Sequence, residues 1–207
     1  MECKECGIAI MEEEVCFSCR RRLAITLLKP TDILPKEVPT VISSKIRMEC
    51  KKELSPSYNK HDSAFLYGPA GSGKSHEAAK RMLTLMRLEG PSSYQRFAWV
   101  NIPKLLFQIR QTFHKDAEET EQSIVEKYST VDWLCLDDLG AEKTTDWSIQ
   151  TLYLIINERY ENEKATVITS NLSTQQLADK MEDDRLSSRI CGMCECVHII
   201  GRDRRLE

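Results

Sequence analysis

Between Ser63 and Leu88 the sequence passes from a short apolar run, through a glycine-rich turn, into a stretch whose apolar residues recur at helical spacing. Ala64, Phe65 and Leu66 predict a buried strand, and Ala78, Met82, Leu85 and Met86 predict the helix after it. Gly90, Pro91, Ser92 and Ser93 break that pattern; Phe97 to Val100 then reads as a second strand. Leu105, Leu106, Ile109 and Phe113 predict another helix, and the charged piece from His114 to Lys127 predicts a further one facing solvent. Trp99 and Phe107 lie in an apolar strand and on an apolar helix face, which favours core over stacking on bases. Trp133, Leu134, Cys135 and Leu136 form a near-continuous apolar run, as expected of a central parallel strand covered on both faces. A helix is predicted from about Thr145 to Asn162, capped by Thr144 or Thr145, with Ile149, Leu152, Tyr153 and Ile156 facing the sheet. Ala165 to Thr169 is the next strand, Ser173 and Gln176 form a capping box, and Cys196 to Ile200 is the last strand.

Upstream of Ser63 the pattern lapses. From Arg20 to about Asp62 no periodicity is sustained: Arg20, Arg21 and Arg22 precede Pro30, Pro35, Pro39 and Pro56, as in a linker that docks on its neighbour. The arginine run reads as a solvated basic face and Cys50 as an inert thiol. At the start, Cys3 with Cys6 and Cys16 with Cys19 form two CxxC pairs around a short spacer, which suits a small zinc knuckle or ribbon. So short a segment buries no useful core, so the metal would supply its folding energy, and a closed four-thiolate site would shape a docking surface.

Composition narrows the picture. At 207 residues there is room for one full domain and an appendage, and 41% hydrophobic residues predict a packed core. The net charge of −3 gives no overall basic field, so any nucleic-acid contact must come from a local patch or from assembled copies. No apolar run is long enough for a bilayer and the N-terminus lacks signal-peptide order, so the expectation is a soluble, cytoplasmic protein without membrane contact. In such a compartment nine cysteines point to metal rather than disulfides, although Cys191, Cys194 and Cys196 offer only one CxxC and are assigned no second site.

The chemistry begins at the glycine-rich turn. Gly68, Pro69, Ala70, Gly71, Ser72, Gly73, Lys74 and Ser75 fit GxxxxGKS, whose backbone N–H groups cradle phosphates while lysine reaches the β/γ-phosphates and the hydroxyl binds magnesium. Strand before and helix after give the loop its context, with the helix dipole aimed at the anion. Asp137 and Asp138 end the central strand at the same sheet edge. Asp137 is placed to hold magnesium with Ser75, and Asp138 to orient or deprotonate water. Asn171, after the next strand, is either a sensor of the γ-phosphate or a turn asparagine. Arg185 and Arg189 lie one helical turn apart and by spacing alone are surface cations.

Four ordered blocks, YGPAGSGKSHEA, WLCLDDLGAEK, IINERYENEKATVITSNLS and RLSSRICGMCECVHIIGRDRR, resemble the AAA+ ATPase domain of the DnaC/DnaI family of helicase loaders. The IstB-type transposition helpers share several of them. The resemblance implies an α/β fold, a P-loop AAA+ core of parallel sheet flanked by helices, over an ATPase domain taken as 59–207. The residues before it read as a 1–22 zinc segment and a 23–58 linker, and a departure from larger AAA+ proteins is the expected lack of a C-terminal lid. It makes Lys74, Ser75, Asp137 and Asp138 the ATP and magnesium residues and Asn171 the sensor. Arg189, with Arg185 beside it, matches the arginine finger that reaches a neighbouring subunit's γ-phosphate. Asp138 stands where many AAA+ proteins have glutamate, and a lid-borne arginine would be missing or replaced by Arg202, Arg204 and Arg205. The implied activity is ATP-dependent loading of a hexameric replicative helicase onto single-stranded DNA, with self-association through ATP. The other functions weighed are an IstB-like helper binding duplex DNA, a small P-loop kinase and a non-hydrolysing ATP-gated adaptor.

Overall fold

The computed structural model describes residues 63–89, 96–114 and 116–201. The cysteine pairs at Cys3, Cys6, Cys16 and Cys19, the linker and the terminal arginines lie outside the described residues. Five parallel strands form one sheet: β1 (Ala64–Tyr67), β2 (Phe97–Asn101), β3 (Trp133–Leu139), β4 (Ala165–Ser170) and β5 (Glu195–His198), in the spatial order β2-β3-β4-β1-β5. Six described helices join them: α1 (Lys74–Glu89), α2 (Ile102–Gln111), α3 (Glu121–Thr130), α4 (Asp146–Glu161), α5 (Thr174–Met181) and α6 (Arg185–Met193). Among the described residues no helix is long and apolar enough to cross a membrane.

Alternation along each strand sorts the core into two layers. Ala64 and Leu66 of β1 with Trp133 and Cys135 of β3 pack against Ala78, Ala79, Met82 and Leu85 of α1. Phe65, Leu134, Leu136 and Ile168 point to the opposite face, where apolar residues of α2 to α6 cover them. Local signals set several helix starts. Thr145 caps α4 in a box with Ser148, and Ser173 caps α5 in a box with Gln176, as its sequence predicts.

Some sequence expectations shift. Helix α4 buries Ser148, Thr151, Leu152, Ile155, Ile156 and Arg159, leaving Ile149 and Tyr153 only partly covered. The apolar stripe is rotated because α4 packs against α3 and α6 as well as the sheet. Arg159, with 0% exposure, occupies that rotated face. It donates to the carbonyls of Tyr128 (3.0 Å), Ser129 (3.3 Å), Val131 (2.6 Å) and Ala165 (2.7 Å) and to Thr166 Oγ1 (2.9 Å). One side chain thereby satisfies orphan carbonyls at the end of α3 and ties them to the start of β4. Burial pushes its guanidinium down to about 9, so it stays charged at neutral pH.

The charged piece from His114 becomes helical only over Glu121–Thr130, where Ile124 and Tyr128 are buried, so α3 is not a wholly solvent-facing helix. Phe113 falls beyond α2 and is exposed, edge-on to Trp147 at 5.9 Å. Phe107, expected in the core, is 64% exposed on the outer face of α2, whereas Trp99 is core as expected. The last strand begins at Glu195 and ends at His198, earlier than its apolar letters suggest, because β1 supplies only four residues to pair with it.

Candidate nucleotide site

The P-loop leaves β1 at its carboxyl end and enters α1 at Lys74. Gly68 opens it at φ 148°, with its N–H donating to the Ser170 carbonyl at 3.2 Å. A Cβ there would lie 2.3 Å from the Ile199 carbonyl oxygen, so only glycine fits between β1 and the exit of β5. Gly71 and Gly73 also take positive φ. Lys74 Nζ, largely buried, donates to the carbonyls of Gly68 (2.9 Å) and Pro69 (2.7 Å), which folds it over the loop. The buried Ser72 hydroxyl has no hydrogen-bond partner among the described residues. An orphan hydroxyl in a glycine-rich turn that opens a helix suits an anion that the loop closes around.

Strand β3 delivers the carboxylates through an irregularity. In its pairing with β4, Leu136 faces Ile168 and Leu139 faces Ser170, so Asp137 and Asp138 together oppose Thr169 alone. This is a bulge of two residues against one, and Asp138 occupies it at φ 63°, a left-handed conformation that aspartate tolerates better than most residues. The acidic pair lies in the last residues of the strand, as the sequence predicts, but within a bulge that its letters do not show. Thr169 holds the bulge from both sides: its hydroxyl donates to Asp137 Oδ1 at 2.7 Å and accepts the Asp138 N–H at 3.0 Å.

Asp137 is 5% exposed and also accepts the Ser75 hydroxyl at 2.8 Å. Burial pushes its carboxyl up from the ordinary aspartate value; hydrogen bonds from Thr169 and Ser75 pull it back, Asp138 adds to the rise, and Lys74 opposes it. A hydroxyl and a carboxylate converging beside the phosphate loop form a hard-oxygen pair that fits magnesium. These are the two residues that the sequence assigns to it.

Asp138 Oδ2 accepts from Asn101 Nδ2 at 3.0 Å. Asn101 ends β2 in register with Asp137, and its own oxygen caps α2 by accepting the Lys104 N–H at 3.4 Å. Behind the bulge, Gly140 donates to the buried Glu142 carboxylate at 2.9 Å while Lys180 of α5 donates to the Gly140 carbonyl. Burial above all pushes the Glu142 carboxyl up. Asn171 follows β4, whose Ser170 is in register with Tyr67, so it stands level with the start of the P-loop and exposed.

The two arginines are elsewhere. Arg185 grips Asp183, with Nε at 3.1 Å from both carboxylate oxygens and Nη2 at 2.7 Å from Oδ2, and lies over the Tyr153 ring at 5.2 Å. Arg189 Nε donates to Asn157 Oδ1 at 2.8 Å and its guanidinium lies 4.9 Å from the centre of the Tyr160 ring. Asn157 and Tyr160 are in the last turns of α4, where the chain turns to enter β4, whereas the P-loop sits at the strands' opposite ends.

The sequence reading missed Thr169, Asn101, Glu142 and Arg159. Only Asn101 carried a signal, an asparagine followed by Ile102 and Pro103, which marks an N-cap with proline inside the first turn. Thr169 is an ordinary β-branched strand residue by its letters.

Residues 54–207 match the family model described as IstB-like ATP binding protein. The chain is 28% identical over 162 residues to the phage-like element PBSX protein XkdC of Bacillus subtilis (strain 168), covering 72% of this chain and 56% of that protein. It is 27% identical over 127 residues to the replicative helicase loader DnaC of Buchnera aphidicola subsp. Baizongia pistaciae, covering 61% of this chain and 50% of the relative. The chain therefore spans about half the length of the curated relatives it matches. A crystal structure of the DnaC helicase loader superposes with a TM-score of 0.57 at 23% identity, covering 87% of this chain and 99% of that one. One of DnaI does so with 0.57 at 23%, covering 87% and 92%. At that identity the likeness shows the fold, a parallel AAA+ P-loop sheet with flanking helices.

Proposed function

The chain belongs to the IstB-like ATP binding protein family, and from that premise we propose that it hydrolyses ATP and, assembled through it, loads a hexameric replicative helicase onto single-stranded DNA. The observation that carries the ATPase half is the convergence of Ser75, Asp137 and Asp138 beside the P-loop, with one hydroxyl, Thr169, pinning both carboxylate residues. The loader half rests on similarity to relatives named as replicative helicase loaders.

In this mechanism the loop N–H groups and the Ser72 hydroxyl receive the phosphates, and Lys74 turns from the Gly68 and Pro69 carbonyls to the β/γ-oxygens. Ser75 and Asp137 would hold magnesium, which when bound neutralises charge on the β- and γ-phosphates. Asp138 orients the attacking water and accepts its proton, while Asn101 fixes the carboxylate's direction. Asn171 reads the γ-phosphate from the end of β4. Arg189 rests near the opposite end of the sheet, in contact with Asn157 and Tyr160, so it serves the nucleotide of an adjoining copy, with Arg185 beside it. Phe107, exposed on α2 between exposed Lys104 and Arg110, supplies a ring and two cations to a single strand. Cys3, Cys6, Cys16 and Cys19 would hold zinc and give the segment that binds the helicase; one zinc per chain, lost in Cys3→Ser, is the expected metal analysis.

The test is co-purification with a hexameric replicative helicase, followed by helicase loading with wild-type and Lys74→Ala chains. Wild type is expected to bind the helicase and load it with ATP, and Lys74→Ala to fail to load. Loading by Lys74→Ala refutes the proposal. The IstB-like description of the matching family favours a second reading, a transposition or recombination helper. Preference for long duplex over single strands, with no helicase binding, selects it.

A further inference from the structure

Resting on the reading of Arg189 as an arginine that acts in trans, we propose that Asn157 and Tyr160 are its positioning residues and that Arg189, not Arg185, delivers the charge. Asn157 holds Arg189 through Nε at 2.8 Å, and its amide is itself oriented because its nitrogen donates to Glu161 Oε1 at 2.9 Å. The Tyr160 ring supports the guanidinium from its face. Gly192 of α6 admits that ring: a Cβ there would stand 2.9 Å from Tyr160 Cε2. Held by Nε and by a face, the guanidinium keeps both terminal nitrogens without a partner among the described residues, and they are the donors a phosphate takes. Arg185 differs, since Nε and one terminal nitrogen are committed to Asp183. Releasing it would expose that carboxylate to the incoming phosphate. A long side chain that is free loses rotamer entropy when it docks, whereas one already held loses less, so the cradle acts on the rate of the assembled enzyme and leaves nucleotide affinity alone.

The experiment measures steady-state ATP hydrolysis by the full chain at concentrations where it self-associates, with binding of a fluorescent ATP analogue in parallel. Asn157→Leu and Tyr160→Leu are each expected to lower kcat about tenfold, the effect of losing one charge-assisted contact, with analogue affinity unchanged. Tyr160→Phe, which keeps the ring, should stay within about twofold of wild type. Asn157→Asp sets a carboxylate on Arg189 as Asp183 is set on Arg185 and loses the donation to Glu161, so it should lower kcat as Asn157→Leu does. Mixing separates position from structure. Arg189→Ala chains, which keep the P-loop, should regain turnover beside Lys74→Ala chains, which keep the arginine. Adding Tyr160→Leu to the Lys74→Ala partner should lower the rescued turnover about tenfold, and adding it to the Arg189→Ala partner should leave it unchanged. Wild-type turnover by Asn157→Leu and Tyr160→Leu beside an inactive Arg189→Ala overturns the cradle alone. Wild-type turnover by Arg189→Ala overturns the trans reading and the cradle with it.

Discussion

Replacing Thr169 by valine keeps the shape of the side chain and removes the hydroxyl on which the bulge in β3 depends. Two hydrogen bonds go: the one donated to Asp137 at 2.7 Å and the one accepted from the Asp138 N–H at 3.0 Å. A hydrogen bond to an ionised carboxylate contributes about 1.5–3 kcal/mol, and a stranded backbone N–H costs about 1–3 kcal/mol more where water cannot reach it. The added methyl in the core returns roughly 1 kcal/mol. The Asp138 N–H is only part-buried, so water offsets some of its loss and the net expectation is about 2 kcal/mol. At about 2–4 °C per kcal/mol for a domain of this size, Thr169→Val should melt roughly 4–8 °C below wild type. Asp137 supplies a second readout. Burial already raises its carboxyl pKa and the Thr169 bond holds it down, so the variant's carboxyl climbs further and protonates at higher pH. The acid limb of the ATPase pH profile should therefore move to higher pH in Thr169→Val and stay in place in Thr169→Ser, which retains the hydroxyl. Differential scanning calorimetry and initial rates across the acid range measure both. Wild-type melting with an unmoved acid limb would show that the bulge stands without the hydroxyl and would refute the reasoning.

Other expectations follow from the same geometry. Because Asp137 has its pKa raised in the fold, its contribution is full below the unfolded value of 3.8 and is lost as pH rises through the folded value. Asp137→Asn should therefore melt above wild type at neutral pH without nucleotide or magnesium, the gap narrowing on acidification, while hydrolysis is lost; a lower melting point at neutral pH contradicts this. Arg159→Met leaves the carbonyls of Tyr128, Ser129, Val131 and Ala165 without their donor and should cost about 3–5 kcal/mol, read by circular dichroism melting. Arg159→Lys should not restore it, since an ammonium lacks the planar fork that serves both segments. Gly68→Ala must place a Cβ at 2.3 Å from the Ile199 oxygen and adopt φ 148°, so it should cost at least about 2 kcal/mol and abolish binding of a fluorescent ATP analogue.

The order of strands and helices from Ser63 onward, the phosphate loop and the carboxylate pair were legible in the letters because each is a local pattern. Burial on both faces makes a parallel strand continuously apolar, and a phosphate cradle needs glycines and lysine at fixed spacing. Cap residues were legible for the same reason, since Thr145 and Ser173 satisfy N–H groups only three residues ahead. Tertiary structure decided everything that depends on who sits opposite whom. The bulge that sets Asp137 and Asp138 against Thr169 exists only in the pairing of β3 with β4, and a threonine in a strand looks the same with or without that task. Arg159 carries no signal in its letters, and contacts with α3 and β4 from distant parts of the chain turn it inward. Phe107 reads as core, yet α2 buries Ile102, Leu105, Leu106 and Ile109 and leaves Phe107 in solvent. Sequence spacing carries contacts within a turn of helix or along a strand; the partner across a sheet or under a helix is chosen by packing.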